Sequence, residues 1–220
     1  RPLSLMLAAR DPSPCLAYLA RPGQYADPGR RIDPVYWSGK RFAPEVVASL
    51  SQALDILLTK TGTRRIRLVG YSGGAALAVL LAAGRPDVIH LTTFAGNLDP
   101  EALNRYHGVS PLEGSLNPLD AAEKLRNLPQ RHYVGEKDDV VPLFVARAFI
   151  RKAGLREAEV LVVVKGATHT EGWLEAVSPS RRGTGRCRTT GVRGLATAVG
   201  KSRFAARRRS PRRSPRRPSL

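Results

Sequence analysis

Three residues in this chain have types and surroundings suited to acyl-transfer chemistry. Ser72 lies in Gly70-Tyr71-Ser72-Gly73-Gly74, which fits G-x-S-x-G. A serine hydroxyl is a poor nucleophile near neutral pH. It needs a histidine to take its proton, and that histidine needs a partner to fix its tautomer. His169, in Gly166-Ala167-Thr168-His169-Thr170, is the candidate base. Asp138, in Gly135-Glu136-Lys137-Asp138-Asp139-Val140-Val141-Pro142, is the candidate acid that orients it. Blander readings compete for each. Ser72 could be a structural serine in a glycine-rich turn, His169 a loop histidine, and Asp138 a cap for a helix beginning near residue 143. Asp139 is the main rival for the acid and Asp99 a weaker one. His90, inside an apolar run, reads as a core histidine, while His107 and His132 sit in no motif.

The elements that must position these residues can be read from apolar spacing. Residues 16–20 form a short apolar run closed by Arg21-Pro22-Gly23, read as a buried strand and a breaker. From Pro44 to Leu58 apolar residues recur at helical spacing, with the proline in the first turn, where its missing N–H costs nothing. Residues 66–69 read as a strand and 75–83 as a helix apolar on all sides. Further strands are expected at 88–94, 132–134 and 160–164, with helical stretches around 119–127 and 143–153. Alternation of this kind predicts an α/β fold, a mostly parallel sheet with helices on both faces. Ser72, Asp138 and His169 then follow three different strands at the same, carboxyl, edge. The turn at Ser72 leads into a helix whose N-terminal N–H groups can hold an anion, and the flanking glycines are expected to remove side chains that would collide there.

The bulk properties bound the rest. The 220 residues suffice for one domain with a real core, and 42% hydrophobic residues suits a globular chain. The net charge of +18 is uneven: all 18 acidic residues lie within 1–176, which is close to neutral, and residues 177–220 are basic without one acid. A pI near 11.1 is therefore a property of the tail and says little about the body. The two cysteines, Cys15 and Cys187, give no disulfide framework or zinc spacing. No apolar run is long enough to span a bilayer, and the chain opens on Arg1-Pro2 rather than on a leader, so its true start is expected to lie upstream. The sequence assigns no compartment.

With these motifs in place the chain resembles the α/β-hydrolase superfamily over about residues 3–176. The nucleophile elbow of that family matches Gly70 to Gly74, its acid loop Gly135 to Pro142, and its histidine loop Gly166 to His169. Arg21-Pro22-Gly23-Gln24-Tyr25, Tyr36-Trp37 and Arg41-Phe42 are also similar to a bacterial group of such proteins with unassigned substrates. The resemblance implies a three-layer αβα fold and hydrolysis of an ester, thioester or amide of a small acyl substrate through an acyl-enzyme. It implies that the backbone N–H of Gly73 forms half of an oxyanion hole, and it implies no cofactor. Trp37, Phe42 and Trp173 are candidate pocket aromatics, with core or surface packing as the competing role.

The sequence also departs from that pattern. Counting back from Ser72 makes residues 16–20 the family's fourth strand, so its first three strands, and the loop giving the second oxyanion donor, are expected to be missing. At the other end the match stops near Ala176, where the basic Arg/Ser/Pro-rich tail of 177–220 begins, expected to be disordered because like charges cannot fold on themselves. The tail could tether nucleic acid or an acidic surface; the favoured reading is a stretch unrelated to the hydrolase, such as a shifted reading frame. Domain 1–176 with tail 177–220 thus leaves three functions open: a serine hydrolase, a catalytically impaired remnant of one, or a basic-tail nucleic-acid binder on an inert domain.

Overall fold

The computed structural model describes residues 3–11, 13, 15–22, 24 and 33–173. The expectations for 177–220 and for the domain's end at 174–176 lie outside these residues.

The elements run in chain order as α1 (Leu3–Arg10), a 3-10 turn (Pro34–Trp37), α2 (Pro44–Thr61), β1 (Ile66–Tyr71), α3 (Gly73–Gly84), β2 (Val88–Phe94), α4 (Pro100–His107), a 3-10 helix (Pro118–Leu125), β3 (Gln130–Gly135), α5 (Leu143–Lys152), the short α6 (Glu157–Val160) and β4 (Leu161–Val164). The four strands form one parallel sheet in the order β1-β2-β3-β4. Every strand points the same way, so every strand-to-helix turn falls on the same edge.

Alternation along the strands divides the side chains between two faces. On one face Leu68, Leu91 and the buried Ala/Leu/Val surface of α3 meet Val46, Leu50 and Leu54 of α2 and Val145 and Phe149 of α5. The i, i+4, i+8 spacing in α2 gives it one apolar stripe, and Pro44 at its first turn with Gly62 at φ 65° bounds it. Ala75 through Val79 of α3 are all buried because the helix lies between the sheet and its neighbours. On the second face Tyr71, Phe94 and Tyr133 stand side by side across three strands. They pack with Val162, Val164, Ala167, Trp173 and, from α1, Leu3 and Leu7. Helices thus cover both faces, the second by α1.

Three expectations need correcting. Residues 16–20 form no strand, and Leu16 is 51% exposed. A strand persists only when its N–H and C=O groups find a neighbouring ladder, and among the described residues no strand lies beyond β1. The core histidine is His132 and not His90: β2 turns His90 toward the second face near its amino end, where it is half-buried between Arg67 and Arg131. Burial first, then those two cations, lowers the His90 pKa. The stretch near 119–127 is helical but 3-10, and α4 went unread although Asp99, Pro100 and Gly108 are its cap, first residue and left-handed stop.

Candidate active site

Ser72 occupies the turn between β1 and α3. Its φ is 51° and its ψ −121°, a conformation that non-glycine residues rarely adopt. The surroundings hold it there: its N–H donates to Phe94 O at 2.9 Å, and its carbonyl accepts from Ala75 N at 3.0 Å and from Asn97 N at 3.2 Å. A Cβ on Gly70 would run into the backbone of Gly74 and Ala75, so that glycine is required. The expectation that the later glycines also avoid collisions is corrected. A Cβ on Gly74 would meet nothing within 4 Å, and one on Gly73 would touch the Phe42 ring at an ordinary 3.5 Å.

Asp138 follows β3. Its side chain is fully buried, and its Oδ1 accepts from the N–H groups of Val140 at 3.0 Å and Val141 at 2.8 Å. Those bonds close the loop on itself, and α5 begins only at Leu143, so Asp138 does not cap that helix. His169 follows β4 and enters the same edge. Its Nδ1 lies 3.0 Å from Asp138 Oδ2 and 3.2 Å from Oδ1, and its Nε2 lies 3.1 Å from Ser72 Oγ. A carboxylate beside Nδ1 selects the tautomer with its proton there, which leaves Nε2 free to accept from the Ser72 hydroxyl. The His169 side chain keeps 14% exposure. The Ser72 hydroxyl, the imidazole and a buried carboxylate therefore form one hydrogen-bonded series at the carboxyl ends of β1, β3 and β4.

The two loops that bring Asp138 and His169 together are tied to each other. Lys137 N donates to Ala167 O at 2.8 Å, Glu136 N to Val164 O at 3.0 Å, and Gly166 N to Glu136 Oε2 at 2.8 Å. Gly135 permits the approach, since a Cβ there would stand 2.5 Å from Ala167 O. The rival acids lie elsewhere. Asp139 is exposed, and Asp99 caps α4 through Ala102 N at 3.1 Å while accepting from Asn117 Nδ2 at 3.3 Å. His107 Nε2 donates to Val140 O at 2.8 Å, outside the series. Of the candidate aromatics, Phe42 and Trp173 are fully buried in the two cores, and Trp37 is 44% exposed with Arg21 over its ring.

Several neighbours were not foreseen. The Tyr71 hydroxyl donates to the main-chain carbonyl of His169 at 3.0 Å, and Trp173 Nε1–H donates to the same oxygen at 3.1 Å. Burial, and then the Asp138 charge, raises the Tyr71 pKa, which keeps that phenol a donor. Tyr71 is the first of the two variable positions of the glycine–serine motif, directly before the serine. Asn97, whose backbone holds the Ser72 carbonyl, has an Oδ1 that is the one buried side-chain polar atom among the described residues without a hydrogen-bond partner. No group of three or more His, Cys, Asp or Glu suited to a metal occurs among the described residues, and no helix among them is long and apolar enough to cross a membrane.

No protein-family model matches the chain, and no curated protein sequence does. Solved structures do. The esterase domain of a Rhodothermus marinus protein is similar at a TM-score of 0.43 and 21% identity, over 54% of this chain and 57% of that one. An α/β serine hydrolase homologue from Coxiella burnetii is similar at 0.47 and 21%, over 67% of this chain and 57% of that one. The acylaminoacyl peptidase of Pyrococcus horikoshii is similar at 0.49 and 18%, over 61% of this chain and 25% of that one. The chain thus spans from a quarter to less than three fifths of these three structures. In its own sheet order, its two helical faces and its polar carboxyl edge, the described part has an α/β-hydrolase-like fold.

Proposed function

We propose that this chain is a serine hydrolase that cleaves an ester, thioester or amide of a small acyl substrate through an acyl-enzyme. The observation that carries the reading is the series Ser72 Oγ to His169 Nε2 at 3.1 Å and His169 Nδ1 to Asp138 at 3.0 Å, on a turn that holds Ser72 at positive φ. In this reading Ser72 Oγ attacks the carbonyl carbon while its proton passes to His169 Nε2. Asp138 faces the imidazolium so formed and keeps the ring in place. The Gly73 N–H, at the amino end of α3, donates to the oxyanion. Collapse breaks the bond to the leaving group, which departs with the proton from His169. Water then repeats the sequence on the acyl-serine and releases the acid.

A slowed version of the same enzyme is the second reading. It is favoured by the position of β1 at the sheet's edge among the described residues, because the family it resembles draws its second oxyanion donor from a loop beyond that edge. Losing one such donor lowers turnover by about 10²–10³-fold. The test is release of 4-nitrophenol from 4-nitrophenyl acetate by the full chain. A stoichiometric burst followed by slow turnover, both lost in Ser72→Ala, is expected. Equal release by native protein and Ser72→Ala would exclude Ser72 as the nucleophile.

A further inference from the structure

We propose that Tyr71 and Trp173 are positioning residues that hold His169 in line between Ser72 and Asp138 by gripping its main-chain carbonyl; this rests on the hydrolase reading above. A base that passes a proton in both directions must keep both ring nitrogens aimed at once. Hydrogen bonds to the ring fix its tilt but not the place of its Cα. His169 sits on a loop that leaves β4, the last strand of the sheet among the described residues, with Gly166 at φ 72° on one side and Gly172 at φ 83° on the other. Such a loop is soft unless its backbone is tied.

The tie is unusually complete. A carbonyl oxygen has two lone pairs, and His169 O receives two side-chain donors, Tyr71 Oη at 3.0 Å and Trp173 Nε1 at 3.1 Å. Each donor is anchored where it does most to fix the base. Tyr71 directly precedes Ser72 in β1, so its bond ties the backbone of the base to the residue beside the nucleophile. The Tyr71 and His169 rings also stand 5.2 Å apart between centroids. Trp173 is fully buried, edge-on to Phe94 at 6.1 Å, in the cluster that contains Leu3 and Leu7. The second face of the sheet, with α1 behind it, is thereby the backing of the site. Indole N–H and phenol O–H groups need acceptors wherever they are buried, so satisfying them is the competing explanation. That role would lower stability when lost but would leave the alignment of His169 unchanged.

The test uses Tyr71→Phe, which keeps the ring and its packing, with Trp173→Phe and the double variant, all in the full chain. Three quantities are measured: kcat and KM for 4-nitrophenyl acetate, thermal unfolding, and the low-field proton resonance of His169 Nδ1–H, identified by its absence in His169→Gln. Each single variant is expected to lower kcat several-fold and the double variant by on the order of a hundredfold, the scale set by misplacing a reacting group by about 1 Å. KM stays unchanged and the Nδ1–H resonance broadens by faster exchange with water. Tyr71→Phe does this with little change in melting temperature, so a poorly folded tryptophan variant does not weaken the test. Unchanged kcat with a sharp Nδ1–H signal in Tyr71→Phe and in any folded double variant overturns the proposal, as does a fall in kcat that merely tracks lost stability. If native protein hydrolyses nothing, the hydrolase reading fails by itself. The Nδ1–H resonance still decides the positioning claim, supporting it if it broadens in the variants and overturning it if it does not.

Discussion

Two histidines, one inside β3 and one in the loop after β4, show how differently this fold uses one residue type. His132 lies in the helix-covered core, wholly buried, with Nδ1 at 2.8 Å from Thr93 Oγ1 and Nε2 at 3.1 Å from Gln130 Oε1. Gln130 spends its amide on Leu125 O and Leu128 O, so its oxygen accepts, His132 donates from Nε2, and the Thr93 hydroxyl donates to Nδ1. Both ring nitrogens are satisfied by neutral groups and nothing answers a positive charge, so burial pushes the pKa down to about 4. His169 also has both nitrogens engaged, but by a carboxylate on one side and a hydroxyl on the other, with an opening to solvent. The difference lies in the partners and the cover, not in the number of hydrogen bonds: His132 has neutral groups on both sides and no exposure, His169 a buried carboxylate on one side and a partly open ring.

The largest effect should come from making the second environment resemble the first. Asp138→Asn leaves a neutral partner, and an amide donating to Nδ1 forces the ring proton onto Nε2, where it cannot accept from Ser72. Turnover should fall by on the order of 10⁴-fold, while Asp139→Asn leaves it nearly unchanged; comparison of burst amplitudes and rates in the two variants reads this directly. The opposite ranking would move the role to Asp139.

The next effect tests the core histidine. Its folded pKa lies below the ordinary 6.5, so only the unfolded chain takes the proton as the pH falls through that interval. The contribution is complete above about pH 6.5 and is lost toward about pH 4, by roughly 3 kcal/mol at 1.4 kcal/mol per unit. Urea titrations at pH 7, 5.5 and 4 should show this slope in the native chain and a flatter one in His132→Gln. Parallel slopes would mean that other groups dominate acid sensitivity.

The two outer glycines of the serine turn sharpen the contrast between packed and open surroundings at smaller scale. Gly70→Ala drives a methyl into the backbone of Gly74 and Ala75 and should destabilise by about 1–3 kcal/mol. Gly74→Ala enters open space in a helix and should be neutral or stabilising by up to about 1 kcal/mol. Denaturant midpoints of the two variants provide the check.

How much of this was legible in the sequence follows the same physics. The strand before Ser72, the all-apolar helix after it and the order of serine, aspartate and histidine were legible because local periodicity and chain order carry them. The placing of Asp138 beside His169, rather than Asp139, depends on which residue closes its loop through Val140 N and Val141 N, a one-residue matter that composition does not encode. The core histidine was misassigned because His90 and His132 both sit in strands, and only cross-strand register and helix cover decide which face each one meets. Residues 16–20 have strand-like composition, but among the described residues no strand lies beyond β1 for them to pair with. Of the two donors that grip His169, Trp173 is only four residues away and Tyr71 is 98, so their meeting on one carbonyl depends on the fold of the loop against β1 and not on spacing.

The central claim is that Ser72 is a nucleophile activated by His169. Its most direct test is reaction of the full chain with a fluorophosphonate, followed by digestion and tandem mass spectrometry. The account predicts one adduct, on Ser72, formed in native protein, strongly slowed in His169→Ala and absent in Ser72→Ala. No adduct in native protein, an adduct on another residue, or equal labelling in native and His169→Ala would contradict it.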